Sequence, residues 1–523
     1  RRQRQMCIRD RSVGLYEVSV IGEGPTVQNL QRKAREAEAK ELNTPKVERI
    51  AKIPQIACKV SEVRKQTFWS WRKMLLDITV KNVLSFGRPT SLNLMTGYEH
   101  RFSDTLPLLK QRYNRKVNPV AALFGANASG KSNLVKVLEK CRRIMIPAER
   151  GKERRLPFEP FQLDEASASS PSEIELLFEL NDYIYEYSIA YNATEIVEEK
   201  LELYLSRNSR VLFQRRDGKV WLEGAADPIG EPDNALSALA YTVPDDETLV
   251  THVAEAKTKH LSEKLQEKIR HMISPYFFVQ RMVFVDADIS SSTRFFTNTK
   301  ANWESAMPEI DAGIVGTEAN DVDPSAMEID DDLLQEIKAQ CERGEALDIE
   351  TTAGRFRVEY DEGGLKVREV QLLHQGQGNS STTLPWSAES AGTKSASRLF
   401  TLFGELQRPG STMILVVDEL DRSFHTELSK ALIDGFLQTR TKESRAQLIF
   451  TTHDLLLMDP ARFRKDQIWI VEKGSEGATE LTPLSDYADI RSDKDLRKTY
   501  LEGRFGGVPD IQPLHLSFEG MHF

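Results

Sequence analysis

With 523 residues and 40% hydrophobic content, the chain exceeds one ordinary core, and two or three structural units are expected. Its 79 acidic against 70 basic side chains exclude a uniformly basic nucleic-acid coat while leaving room for a local basic groove. Cys7, Cys58, Cys141 and Cys341 lack paired or metal-type spacing, which predicts reduced thiols without disulfide or zinc, and without a signal peptide or an apolar run of roughly 20 residues a cytoplasmic protein off the membrane is expected.

The first 73 residues differ in texture from the rest of the chain: they open "RRQRQMCIRDRS" and carry a charged, alanine-rich stretch from Gln31 to Leu42. At Met74, "MLLDITVKNVLSFG" alternates around Leu76, Ile78 and Val80 and reaches a turn at Gly87, the pattern of a strand that opens a domain. The start is therefore expected at Met74, with residues 1–73 either foreign sequence or a helical extension. A short apolar run from Val117 to Leu123 leads into "LFGANASGKSNLVKVL", after which Leu134, Val137, Leu138 and Cys141 recur at helical spacing. That is strand, loop, helix. Between Ser172 and Leu212, "SEIELLFEL", "YIYEYSIAY", "LELYL" and "RVLFQR" alternate with short polar gaps and predict an antiparallel meander.

A helical pattern runs from about Thr248 to Ile273, too short and irregular in its heptads for a coiled-coil arm. The interval Glu309 to Asp332 is rich in carboxylates and poor in aromatics, and reads as a mobile insert or a plain solvated loop. Order is expected again at Gly354, with two strands about a turn at Gly363 and Gly364. "MILVVDEL", "QLIFTTHD" and "QIWIVEKG" are then three β-rich runs separated by helical intervals, the spacing of βαβ units and a mostly parallel sheet flanked by helices.

Gly125 to Ser132 spells glycine, four residues, glycine, lysine, serine. Glycines let a backbone wrap tightly enough for consecutive amides to point at phosphate oxygens, so Gly125, Ala126, Asn127, Ala128, Ser129, Gly130, Lys131, Ser132 and Asn133 form the expected ATP-binding segment. Lys131 would reach the β and γ phosphates and the Ser132 hydroxyl would coordinate Mg2+. The competing reading is a glycine-rich turn. "ILVVDE" ends four β-formers in an acidic pair: Asp418 at the strand end suits the magnesium shell, and Glu419 can orient and deprotonate water. His453 follows the strand "QLIFTTHD" at the level of a γ-phosphate, although a lone histidine there is more often structural. In "ESAGTK", Ser390 and Gly392 at a helix start can offer a hydroxyl and amides to an anion, or Ser390 can simply cap the helix.

The order of "LFGANASGKSNL", "ESAGTKS", "VVDELDRSFH", "LIFTTHD" and the tail "DQIWIVEKGSEGATEL" to "YLEGRFGGVP" resembles ABC-type ATPase heads of the SMC and RecF branch. It is closer still to the AAA-type ATP-binding proteins of bacterial abortive-infection and anti-phage systems, relatives of the OLD and Septu ATPases. The resemblance spans Met74 to about Pro509. It implies an α/β P-loop NTPase fold of ABC type with an antiparallel meander and a helical insertion. The N-terminal part of the head would occupy 74–230, a helical and acidic insertion 231–345, and the C-terminal part 346–523. It also implies a homodimer around two ATP molecules, with Glu419 and His453 catalytic, Asp418 and Ser132 on the metal, and Ser390 and Gly392 as a signature loop acting in trans. Gln162, in "PFQLD", would be the lid glutamine.

Two departures qualify the resemblance. His425 stands where many such heads have aspartate, as in OLD-like proteins. OLD nucleases also carry a Toprim domain after the head, and with about 70 residues beyond His453 none is expected. The resulting expectation is a magnesium-dependent ATPase serving as sensor or motor of a phage-defence system, with a separate nuclease or toxin as effector. Two rivals stand beside it: a DNA-repair ATPase that binds nucleic acid, marked by a basic groove, and a regulatory scaffold with little turnover.

Overall fold

The computed structural model describes residues 4–10, 14–20, 72–109, 113–147, 155–205, 208–258, 261–285, 303–309, 313–342, 346–361, 364–422, 425–487 and 495–508. The chain divides into two units, Arg1–Ser70 and Trp71–Phe523. In the first, β1 (Arg4–Asp10) and β2 (Gly14–Val20) pair antiparallel. The alanine-rich stretch between Gln31 and Leu42 lies outside the described residues.

The larger unit opens with β3 (Lys73–Lys81) and β4 (Thr90–Asn93), followed by β5 (Val120–Phe124) and α1 (Lys131–Met145). A one-turn α2 (Glu165–Ala168) precedes the alternating segments, which form β6 (Ser172–Leu180), β7 (Tyr183–Tyr191), β8 (Ile196–Tyr204), β9 (Ser209–Arg216) and β10 (Lys219–Leu222). The helical stretch consists of α3 (Ala235–Tyr241), α4 (Leu249–Glu255), α5 (Glu263–Met272) and α6 (Ser274–Val279). It is not one run from Thr248: Thr248 caps α4, whose end at Ala256 turns extended. After β11 (Met282–Val285) come β12 (Ile314–Val322), α7 (Asp331–Cys341), β13 (Leu347–Glu350), β14 (Arg355–Asp361), β15 (Gly364–Gln375) and β16 (Ser381–Leu384). The chain continues through α8 (Ala391–Gln407), β17 (Ile414–Val417), α9 (Thr426–Gln438), β18 (Gln447–Thr452), β19 (Ile468–Lys473), β20 (Thr479–Pro483) and α10 (Leu496–Leu501).

Among the described residues the strands of the larger unit form three sheets. β10-β9-β8-β7-β6-β3-β4 is antiparallel throughout, so the opening strand at Met74 joins the meander directly. The order β11-β17-β18-β5-β19-β20 has parallel pairings up to β19, and only β20 runs antiparallel. Its central strands β17, β18 and β5 are buried on both faces, as parallel strands between two layers must be. Ala121 and Leu123 of β5 enter one core with the meander and with Leu134, Val137, Leu138 and Cys141 of α1. Val120, Ala122 and Phe124 enter a second core with Leu399 and Phe403 of α8 and Ile433 and Phe436 of α9. This double burial pins the end of β5, where the glycine loop begins.

The third sheet, β12-β15-β14-β13 with β16 added to β15, takes a strand from the interval Glu309 to Asp332, which the sequence presents as a mobile insert or solvated loop. β12 pairs with β15 from Ile314 opposite His374 to Val322 opposite Val367. It lies at the sheet edge with most of its side chains at least partly exposed, so polar residues suit it and the alternation that betrays a half-buried strand is missing. Order likewise begins before Gly354. Leu333, Ile337 and Cys341 of α7 pack on Leu347, Ile349, Phe356 and Val358 in a small core. Buried Arg355 fastens this sheet to α8 through Ser397 Oγ at 2.6 Å and Thr401 Oγ1 at 2.7 Å.

Candidate active site

At the end of β5 the backbone passes so close to β19 that a Cβ on Gly125 would collide with the Val471 carbonyl oxygen. Ala128 and Gly130 take left-handed φ values of 60° and 109°, which bring the loop round to the first turn of α1. Among the described residues no side chain caps that helix, and its first turn holds no acidic residue. Its leading amides therefore face outward with the positive end of the helix dipole, the arrangement that suits an anion. Asn127 and Ala128 are exposed at the loop tip, and Ser132 is half-buried on the first helical turn. The Ser129 hydroxyl is buried with no hydrogen-bond partner among the described residues.

Lys131 is 4% exposed. Its Nζ folds back on the loop, donating to Gly125 O at 2.8 Å and Ala126 O at 2.9 Å. Burial pulls its pKa down to about 8, opposed by the carboxylates of Asp418, Glu419 and Asp421. Neutral carbonyls are weaker acceptors for an ammonium than an anionic oxygen, so a phosphate group can displace them. The Asn133 side chain is already engaged, donating to Ser85 Oγ at 2.8 Å.

The acidic pair stands at the end of β17, one strand removed from β5 across β18. One residue of β18 holds both acids. Thr451 Oγ1 donates to Asp418 Oδ1 at 2.6 Å and accepts from the Glu419 amide at 2.7 Å. Glu419 has a left-handed φ of 51°, a conformation costing about 1–2 kcal/mol for a residue with a Cβ, and it turns the chain sharply out of the strand. Its carboxylate lies 3.7 Å from His453 Nε2 and 3.7 Å from an Arg422 guanidinium nitrogen. His453 is itself positioned by its amide, 3.3 Å from an Asp421 carboxylate oxygen. The structure thus brings the loop lysine into the field of Asp418 and Glu419, and Glu419 beside His453.

Ser390 is the N-cap of α8: its Oγ accepts from Thr393 N at 3.0 Å. Gly392 lies in the first turn behind it. The preceding Glu389 is buried and 2.8 Å from His374 Nε2, which ties this loop to the third sheet. Among the described residues no hydrogen bond or ion pair joins Ser390 or Gly392 to the phosphate-type loop of the same chain. Gln162 is exposed, and its amide donates to Pro160 O at 3.0 Å. Its neighbour Phe161 donates its amide to Asn82 at 3.0 Å, holding that segment on the turn after β3. His425 caps α9 by accepting from Glu427 N at 3.2 Å.

Sequence reasoning missed Thr451, Asp421 and Ser85. Asp421 was within reach, three residues past Asp418 in "VVDELD". The others carry no local signal, because hydroxyl residues are common and their roles depend on what the fold sets opposite them.

The donor set fits a nucleotide with a divalent cation: an uncapped helix N-terminus and a buried ammonium for phosphate, and the Ser132 hydroxyl and Asp418 carboxylate for the metal. Fold and site together define an α/β protein of the phosphate-loop class. The chain belongs to the family described as "AAA domain, putative AbiEii toxin, Type IV TA system", which matches residues 120–459, more than half of its length. No curated protein sequence matches it. Among solved structures, the SMC head domain from Thermotoga maritima aligns at 13% identity with a TM-score of 0.29, over 78% of this chain and 98% of that one.

Proposed function

We propose that this chain is a magnesium-dependent ATPase whose heads pair around two ATP molecules and act as the sensor or motor of a bacterial anti-phage system in the cytoplasm. The observation that carries the reading is the pair of acids held by Thr451 at the end of β17, in the same parallel sheet whose strand β5 leads into an uncapped phosphate-type loop. The family's description, which names a toxin of a toxin–antitoxin system, supports the defence role; a separate effector of nuclease or toxin type is part of the same proposal.

In this reading the loop amides from Gly125 to Asn133 cradle the phosphates, and Lys131 exchanges its loop carbonyls for β and γ oxygens. Ser132 and Asp418 would hold Mg2+, which when bound neutralises phosphate charge. Glu419 takes a proton from the attacking water on its carboxylate, and His453 beside it lies at the γ-phosphate end of the site. Ser390 and Gly392, unattached to their own chain's loop, complete the site of the opposing head, and Gln162 belongs to the lid.

Glu419→Gln tests this directly. Glutamine keeps the shape of the side chain but cannot accept the proton, and a general base supplies about 10²- to 10⁴-fold in rate. ATP binding should persist, phosphate release should fall by that factor, and size-exclusion with light scattering should show the two-headed form accumulating with ATP and magnesium. Hydrolysis at the parental rate would show that Glu419 is not the base.

A further inference from the structure

The tail segment "DQIWIVEKGSEGATEL" carries part of the family resemblance yet holds none of the residues assigned above. In the fold it becomes the β19–β20 hairpin, Trp469 opposite Pro483 through Lys473 opposite Thr479, laid against β5 with Ile470 beside Phe124. That register places Val471 against Gly125 and Thr479 against Gly130. A Cβ on Gly130 would collide with Thr479 Oγ1, just as one on Gly125 would with the Val471 carbonyl. Both glycines of the loop are therefore moulded by one hairpin.

Thr479 is buried, and its hydroxyl lies 2.9 Å from Ser129 O and 2.7 Å from Ser85 Oγ, sharing its hydrogen between them. Its amide donates to Ser85 O at 2.7 Å, and Ser85 Oγ in turn accepts from Asn133. In a trans peptide the carbonyl and the next amide point in opposite directions. Drawing the Ser129 carbonyl toward β20 therefore aims the Gly130 N–H away from β20.

We infer that Thr479 is a positioning residue for phosphate binding: its hydroxyl fixes the Ser129–Gly130 peptide plane so that the Gly130 amide is pre-aimed at the bound phosphate chain. This rests on the phosphate-loop reading. The amide serves ground and transition states alike, so losing its alignment raises KM without changing kcat.

The test compares Thr479→Val, which keeps shape and removes the hydroxyl, with Thr479→Ser, which keeps the hydroxyl. Magnesium ATP turnover and fluorescent ADP titration are read together with melting temperature. The valine variant should raise KM and weaken ADP binding about tenfold at parental kcat, the value of roughly one buried hydrogen bond, while serine stays within about twofold of the parent. Parental KM in the valine variant, or equal losses in valine and serine, overturns the assignment. If valine lowers the melting temperature enough to prevent assay, Thr479→Cys against Thr479→Ser decides, since the two match in size and differ in hydrogen-bond strength. Equal affinities there overturn it too. Lys131→Ala in parallel separates the levels: unchanged ADP affinity in that variant removes the phosphate-loop reading itself, whatever Thr479 does.

Discussion

Thr451→Val removes a single hydroxyl from the point where β18 supports both acids. Valine has nearly the same shape, and Thr451 is fully buried, so no cavity opens. Two polar groups lose their partner: Asp418 Oδ1 loses a donor at 2.6 Å and the Glu419 amide loses an acceptor at 2.7 Å. A hydrogen bond to a charged group contributes about 1.5–3 kcal/mol, and a buried donor left unpaired costs about 1–3 kcal/mol. The combined loss should be roughly 3 kcal/mol. Thr451→Ser keeps both hydrogen bonds and sacrifices one methyl, about 1 kcal/mol. Differential scanning calorimetry should therefore rank parent, serine variant, valine variant in falling order, with valine several degrees below serine. ATP turnover should follow the same order, the valine variant at least about tenfold below serine, because Asp418 and Glu419 lose their common support. A valine variant that melts with or above the serine variant would refute the view that this hydroxyl carries the acidic corner.

Lys131→Ala should abolish ATP binding in calorimetry, because the loop amides alone cannot offset the charge of the β and γ phosphates; unchanged affinity would remove the assignment. Ser390→Arg should leave ATP binding by one head intact but block pairing of heads and turnover, and a normal hydrolysis rate in that variant would end the trans-site proposal. Asp77 is raised to about 6, chiefly by burial and further by Glu186, against the hydrogen bond from Thr79. A folded-state pKa above the unfolded value means that protonation favours the fold, with the stabilisation complete below about pH 4 and lost as pH rises through 6. Asp77→Asn should thus melt above the parent at pH 8 and lose that advantage below about pH 4; a pH-independent difference would contradict it.

Much of the architecture around the site was readable locally. The strand, loop and helix from Val120 to Met145 arise from a short apolar run, two glycines and an apolar repeat, all within 26 residues of one another. The strand ending in Asp418 and Glu419 was likewise marked by four consecutive β-formers. β12 was not readable, because an exposed edge strand need not alternate, and its carboxylates read as a solvated insert. Ser390 had two local readings, and its cap to Thr393 fulfils one without deciding the other, which concerns a second head.

What the sequence determined alone was the set of chemical groups and their order: loop lysine, acidic pair, strand-end histidine, each set by residues adjacent in the chain. Only the tertiary structure decided which groups act on each other. Thr451 reaches Asp418 across 33 positions and Thr479 reaches Ser129 across 350. Sheet pairing sets residues far apart in the chain side by side, and a hydroxyl's role depends on what lies within about 3 Å of it rather than on its neighbours in the chain.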